Sequence, residues 1–233
     1  MKKLTANFFP AEEQKNGYIG KANITIADAI RINGISVFAP ESGGINIAFP
    51  EYGEGENRRS YVVPKSKDAY EALLTVVAKA VGDEAHHFGF TTGEYGPHME
   101  VHGRAVNEPY ADARFTIDVA DICTLHGLST RVVNYEKDGK DRSFVSVDKP
   151  TIAVYKDKEG NDQYRPAFEG RVSVWKDREG VEQKRDWGQL MQGLVLAERK
   201  NVLERKPALE DQVKNAEART APAQENAAPA KER

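Results

Sequence analysis

Cysteine is almost missing from this chain, which holds one in 233 residues, and there is no excess of positive charge. A lone thiol cannot close an internal disulfide, so packing and hydrogen bonds must hold the fold, as suits a reducing compartment. Cys123 lies in the apolar run Ile122 to Leu125, the place of a small buried hydrophobe rather than a nucleophile. No apolar run approaches the ~18–20 residues that a membrane-spanning helix requires. The opening MKKLTANFFPAEEQKNG also lacks the ~7–15-residue apolar stretch of a secretory signal. A cytoplasmic protein without membrane association is expected. With 33 basic and 36 acidic residues the formal net charge is −3. No global field draws in a polyanion, so a nucleic-acid site has to arise from a local basic patch.

Catalytic signatures are equally scarce. Gly43-Gly44, Gly53 and Gly55 are not followed by the Gly-Lys-Ser/Thr or strand-to-helix fingerprint that cradles a phosphate. Acids such as Asp118 and Asp121 have no nucleophile-plus-base arrangement around them, and Asp28 and Asp121 read as turn formers between strands. Four of the five histidines fall between Asp83 and Pro109. His98 and His102 stand four apart, but MEVHG alternates as a strand does, which spreads the two rings about 13 Å along the chain. With no cysteine nearby, His86, His87, His98 and His102 read as surface or linker residues rather than zinc ligands. No enzyme, no metal and no cofactor is expected.

What is present is a repeated pattern. Hydrophobic residues make up 39% and charged residues 30%, enough for a modest core, and the length admits two small domains. ANITIADAIRINGISVFAP, from Ala22, is echoed by ARFTIDVADICTLHGLSTRVV, from Ala113. Ile32-Asn33-Gly34-Ile35-Ser36 matches Leu125-His126-Gly127-Leu128-Ser129, with a two-residue insertion ahead of the second anchor. After the first anchor come a strand over Ile45–Phe49 and a Gly-rich loop. Tyr61–Val63 then form a short strand, followed by a helix capped by Ser66 or Asp68. Its apolar face is Tyr70, Leu73, Leu74, Val77 and Val81, and Gly82 ends it. After the second anchor, Phe144, Val145 and Val147 form a strand, and Asp186 caps a helix facing inward with Trp187, Leu190, Met191, Leu194 and Val195. Between them, VYKDKEG from Val154 and VWKDREG from Val174 repeat one pattern twenty residues apart. Two successive hairpins with charged glycine turns are expected there.

The fold class read from this pattern is α+β: two small modules, each an antiparallel sheet packed on a C-terminal helix. Module 1 spans 1–82, a linker or extra hairpin 83–109, and module 2 with its added hairpins 110–206. A disordered Ala/Pro/Glu-rich tail covers 207–233, its stretch from Leu209 to Arg219 being helix-prone.

The stretch from Ala22 to Leu74 resembles the SpoVG family of septation regulators. It has an Asp-Ala pair at Asp28-Ala29, an aliphatic strand from Ile30 to Phe38, and an Ala-hydrophobic-Pro strand end at Ala48-Phe49-Pro50. A polar loop with Arg58 and Arg59, Pro64 and a helix from about Lys67 follow. In the second half, Val147-Asp148-Lys149-Pro150 stands in place of the Ala-Phe-Pro, and the hairpins have no counterpart. The resemblance implies a sheet on a helix, dimer formation, binding of DNA or RNA, and a role near septation and sporulation control. Two copies imply an internal pair that replaces the homodimer, with a homodimer of whole chains as the alternative.

Glu51-Tyr52-Gly53-Glu54 is acidic where the family's loop opens with basic residues, which leaves Arg58, Arg59, Lys65 and Lys67 as candidates in the first half. In the second half Lys137, Lys140, Arg142, Lys149, Lys156, Lys158, Lys176, Arg178, Lys184 and Arg185 cluster around turns, with Tyr155 and Trp175 placed to stack on bases. The competing description is that the charges solvate hairpin tips and Trp175 packs in the core. A protein-interaction adaptor is the alternative function.

Overall fold

The computed structural model describes residues 4–82, 97–157, 159–177 and 179–220, excluding the side chains of 206–220. Sixteen strands and two α-helices are assigned among them. The first half contains β1 (Leu4–Lys15), β2 (Tyr18–Ile26), β3 (Ile30–Phe38), β4 (Asn46–Ala48), β5 (Glu51–Tyr52), β6 (Arg59–Ser60), β7 (Val62–Pro64) and α1 (Lys67–Val81). The second contains β8 (Met99–Glu108), β9 (Ala111–Val119), β10 (Cys123–Lys137), β11 (Lys140–Asp148), β12 (Thr151–Lys156), β13 (Asp162–Pro166), β14 (Phe168–Gly170), β15 (Val172–Lys176), β16 (Glu182–Asp186) and α2 (Trp187–Thr220). The fold is mixed α+β with mostly antiparallel sheets.

Two five-stranded sheets hold the core. One runs β1-β2-β3-β14 with β4 on β3, and the other runs β11-β10-β9-β8 with β7 on β10. Their ladders repeat at a constant spacing. Ile26↔Ile30, Ile24↔Ile32 and Ala22↔Ile35 in β2–β3 recur as Val119↔Cys123, Ile117↔Leu125 and Phe115↔Leu128 in β9–β10, 93 residues on each time, as from 26 to 119. The two-residue insertion expected before the second anchor is therefore not there. Both ladders shift register around the anchor glycine, and the left-handed φ of Gly34 (+70°) and Gly127 (+90°) explains why glycine stands at each bulge.

Each sheet is completed by a strand from the opposite half. β7 pairs Val62↔Leu125, and β14 pairs Phe168↔Ile32. The flanking hydrogen bonds match in kind. Tyr61 N donates to Pro50 O and His126 N to Tyr61 O; Ala167 N donates to Pro150 O and Asn33 N to Ala167 O. Pro150 thus occupies the position of Pro50, as the sequence comparison placed it. The crossing segments pass over the bulges, where a Cβ on Gly34 would come within 2.4 Å of Ile152 and one on Gly127 within 3.0 Å of the Tyr61 ring.

This exchange corrects the picture of two self-contained modules. α1 packs on β1 and β2, and α2 on β8 and β9, yet Leu73 and Val77 share one continuous buried cluster with Phe115, Phe168, Met191 and Val195. Nor does the second unit begin at residue 110. β8 is its first strand, forming a hairpin with β9 through Met99↔Val119, which agrees with the extra-hairpin rather than the linker reading of 83–109, and it stands where β1 stands in the first half. Periodicity missed β1 and caught only the MEVHG start of β8, because each lies at a sheet edge with a mostly exposed outer row.

The helix signals held at their ends. Ser66 Oγ accepts from Ala69 N and Gly82 closes α1 in the left-handed region; Asp186 Oδ1 accepts from Gln189 N at the start of α2. Leu190, placed on the inner face of α2, is instead 40% exposed, whereas Val202 continues the buried stripe. The expected disordered tail starts too early: α2 runs past Pro207 to Thr220, through a stretch rich in Ala, Glu, Lys and Arg, all good helix formers. Residues 221–233 lie outside the described residues. Among those described, no helix is long and apolar enough to cross a membrane.

Because each sheet takes a strand from the other half, residues 1–82 and 97–220 expressed separately should each lack a cooperative thermal transition, and mixing them should restore one. Calorimetry of the fragments and of the mixture checks this; a native-like melt of either fragment alone contradicts it.

Candidate nucleic-acid interface

Beyond residue 130, β10 and β11 leave their sheet as a two-stranded ribbon. Directly paired residues share a face. Arg131↔Ser146, Val133↔Phe144, Tyr135↔Arg142 and Lys137↔Lys140 therefore line one side, and Val132↔Val145, Asn134↔Ser143 and Glu136↔Asp141 the other. Strand alternation has sorted the charges: Arg131, Lys137, Lys140 and Arg142 lie with the two aromatic rings, and Glu136 and Asp141 lie behind. Tyr135 and Phe144 meet edge to face at 5.8 Å, and Phe144 is 53% exposed. Arg131 is held by Asp148 at 3.0 Å.

The repeated heptapeptides form two hairpin arms, β12–β13 and β15–β16, with matching internal geometry. At the first tip Asp157 Oδ1 accepts from Glu159 N and Asn161 N, and Gln163 Nε2 donates to Oδ2 at 2.8 Å. At the second, Asp177 Oδ1 accepts from Glu179 N and Val181 N, and Gln183 Nε2 donates to Oδ2 at 2.8 Å. These bonds, from the Asn161 amide foremost in one case and the Gln183 side chain in the other, hold both carboxyls below the usual carboxylate range. On each arm a guanidinium lies over the ring, Arg165 at 6.0 Å from Tyr155 and Arg185 at 5.6 Å from Trp175. Tyr155 is 53% and Trp175 36% exposed. It is Trp187 that packs in the core, its Nε1 donating to Ser173 Oγ.

The structure groups some of the candidates named from sequence and separates others. Lys140 and Arg142 share the ribbon face, and Lys149 is half-buried beside Pro150. Lys156 and Lys176 flank the two arm rings, Lys156 lying 4.0 Å from Asp162. Lys158 and Arg178 lie outside the described residues. In the first half Arg58 is 3.6 Å from Glu51, and Arg59 donates to the carbonyls of Glu56 and Arg58, so both fold back on their own loop. Lys67 is exposed in the first turn of α1. Lys65 ion-pairs with Asp118 at 2.8 Å. Its position just after β7 puts it against the opposite half's sheet, where it works as a tie. Burial raises the Asp118 pKa, but the hydrogen bonds from Lys65 and Thr124 outweigh this and leave it below the usual value.

Sequence reading named Arg185 among the turn cations but missed Arg131, Tyr135, Phe144 and Arg165 as site residues. The twenty-residue repeat reaches Gln163/Gln183 and Arg165/Arg185, so following it past glycine finds the arm arginines. The ribbon residues show only as alternation once Lys137–Lys140 is taken as a turn. A groove of about 640 Å³ escaped altogether, because its stacked Tyr52 and Tyr61 (4.7 Å), Arg104, Arg114 and His126 come from separate elements. Arg114 there is engaged by Glu108, and burial lowers the His126 pKa.

His102 lies 3.7 Å from Asp118, and among the described residues no three His, Cys, Asp or Glu converge on a metal position; His86 and His87 fall outside them. Cys123 is fully buried, and burial pushes its thiol up to about 12. Compared with known proteins, the chain matches no family model, no curated protein and no solved structure.

The Lys65–Asp118 tie has a pH signature. Its carboxyl has a lowered pKa in the folded state, so the stabilisation is complete above the unfolded value of about 3.9 and lost as pH falls through the folded value. Lys65→Met should melt several degrees below the parent at pH 7, with the gap closing near pH 2. Paired thermal melts check the difference; an equal gap at both pH values rules out the tie.

Proposed function

We propose that the chain is a non-enzymatic cytoplasmic regulator of the SpoVG type, built from two diverged copies of one α+β unit that pair within a single chain in place of a homodimer. It binds DNA or RNA through its ribbon and arms, in septation- or sporulation-type control. The ladder spacing of 93 residues and the reciprocal β7 and β14 strands support the tandem reading. The residue resemblance over Ala22 to Leu74 supports the family.

The observation that carries the binding function is the sorted ribbon face: Lys137, Lys140 and Arg142 with two rings on one side of β10–β11, joined at the base by the Arg131–Asp148 pair, and Glu136 and Asp141 on the other side. Cations contact phosphates while exposed rings take up base surface, a pairing typical of nucleic-acid binders. The net charge of −3 is compatible with this, since the field that matters is local to the face. The first half contributes structure instead, its Arg58, Arg59 and Lys65 being spent on internal partners.

Removing both charges in Lys140→Gln/Arg142→Gln should weaken binding of generic DNA and RNA at low salt and lower the slope of log K against log salt by roughly 1.4–1.8. Fluorescence anisotropy across a salt series measures both. No binding by the parent chain even at low salt would sink the proposal and favour the protein-interaction adaptor.

A further inference from the structure

The two arms are a duplication within one chain, and the duplication extends to their contacts. Ring, following lysine, tip aspartate, locking glutamine and ring-covering arginine recur as Tyr155, Lys156, Asp157, Gln163, Arg165 and Trp175, Lys176, Asp177, Gln183, Arg185. Neither arm has a counterpart of its size in the first half, where only the short β5–β6 turn fills the place of β12–β13. Neither ring belongs to the buried cluster, Tyr155 being 53% and Trp175 36% exposed.

We infer that the arms are twin base-stacking platforms that bind one single-stranded polynucleotide, DNA or RNA, at two points. This rests on the nucleic-acid reading above and adds the ligand's strandedness and the bivalent mode.

Three observations carry it. First, a planar ring with a guanidinium over one face can take the face of a base on the other, a surface that a duplex hides within its stack and a single strand exposes. Second, each arm holds as many acids as bases, so it has little general attraction for phosphate. The lysine next to each ring can meet the backbone of a strand whose base is stacked there. Third, the arms are rooted on either side of β14, which three ladder pairs fix to β3. Pro166 ends one arm and Val172 begins the other, so the roots are about 20 Å apart along an extended chain. A second stacking event is then intramolecular and raises affinity without any new kind of contact.

The test uses the full chain with labelled oligothymidylate and oligouridylate of about four and about sixteen nucleotides, a sixteen-base-pair duplex, and the variants Tyr155→Ala, Trp175→Ala and the double. Both rings are exposed on hairpins outside the core, and thermal melts confirm that the variants fold. The long single strand should bind more tightly than the duplex, and each single variant should lose roughly 5- to 150-fold. On the short strand each single variant should lose only about twofold, because the other arm remains, while the double should fall to the salt-sensitive residual that the ribbon face holds. Tryptophan fluorescence should be quenched by the long strand in the parent and not in Trp175→Ala, since Trp187 is buried. Thymidylate against uridylate separates DNA from RNA preference. Duplex binding that is as tight and indifferent to both rings overturns the arm inference while leaving the nucleic-acid reading intact; no binding of any strand overturns both.

Discussion

The structure depends on the crossing of two short segments, Pro50–Pro64 and Pro150–Gly170, each leaving one sheet and completing the other. Their hydrogen bonds use backbone groups that the sheets would otherwise leave unpaired at the bulges: Asn33 N and His126 N each find a carbonyl on the crossing chain. Buried amides without partners are costly, so neither sheet is satisfied until the other half is in place. That coupling is why two helices, each seated mostly on its own strands, end up over one continuous core.

The same constraint explains what the sequence did and did not reveal. Local devices were legible because their physics is local: the Ser66 and Asp186 caps, the Gly82 stop and the aspartate-to-glycine tips of the arms; Gly34 and Gly127 were legible as matching anchors but not as bulges. The equivalence of Pro50 and Pro150 was also readable, since both end a strand ahead of a crossing. The crossing itself was not, because a three-residue strand, read at Tyr61–Val63 for β7 and not read at all for β14, carries no sign of which sheet it joins. Edge strand β1 escaped for a related reason, as one-sided burial at an edge leaves a polar pattern, and only the MEVHG start of β8 was read. The site divided along the same line: Lys140, Arg142, Tyr155 and Trp175 were found from composition at turns, whereas their partners on the same face follow only from register.

The two halves also differ in a way that bears on binding. In the first, β3 turns into β4 through a short loop, and the crossing segment makes only the small β5–β6 turn. In the second, the corresponding turns have grown into the ribbon and the β12–β13 arm, and the β15–β16 arm is inserted between β14 and the cap of α2. Trp187 N donating to Arg171 O closes that insertion at its base, so the arm is added without lengthening the path from strand to helix. Growth at turns costs the core little, and all three additions stand on one half of an otherwise repeated frame.

Charge sorting on the ribbon removes the apparent conflict between an acidic chain and a polyanionic ligand. Side chains on the two faces of a single sheet layer extend in opposite directions, so their charged ends lie about 10 Å or more apart. That is comparable to the screening length of roughly 8 Å at physiological ionic strength. Under the proposed function, Glu136 and Asp141 would therefore be largely hidden from a phosphate resting against Arg142 and Lys140, while they still lower the net charge. Attraction confined to one face would favour ligands that also offer something to Tyr135 and Phe144, so that a net charge of −3 is compatible with selection for exposed bases instead of for charge alone.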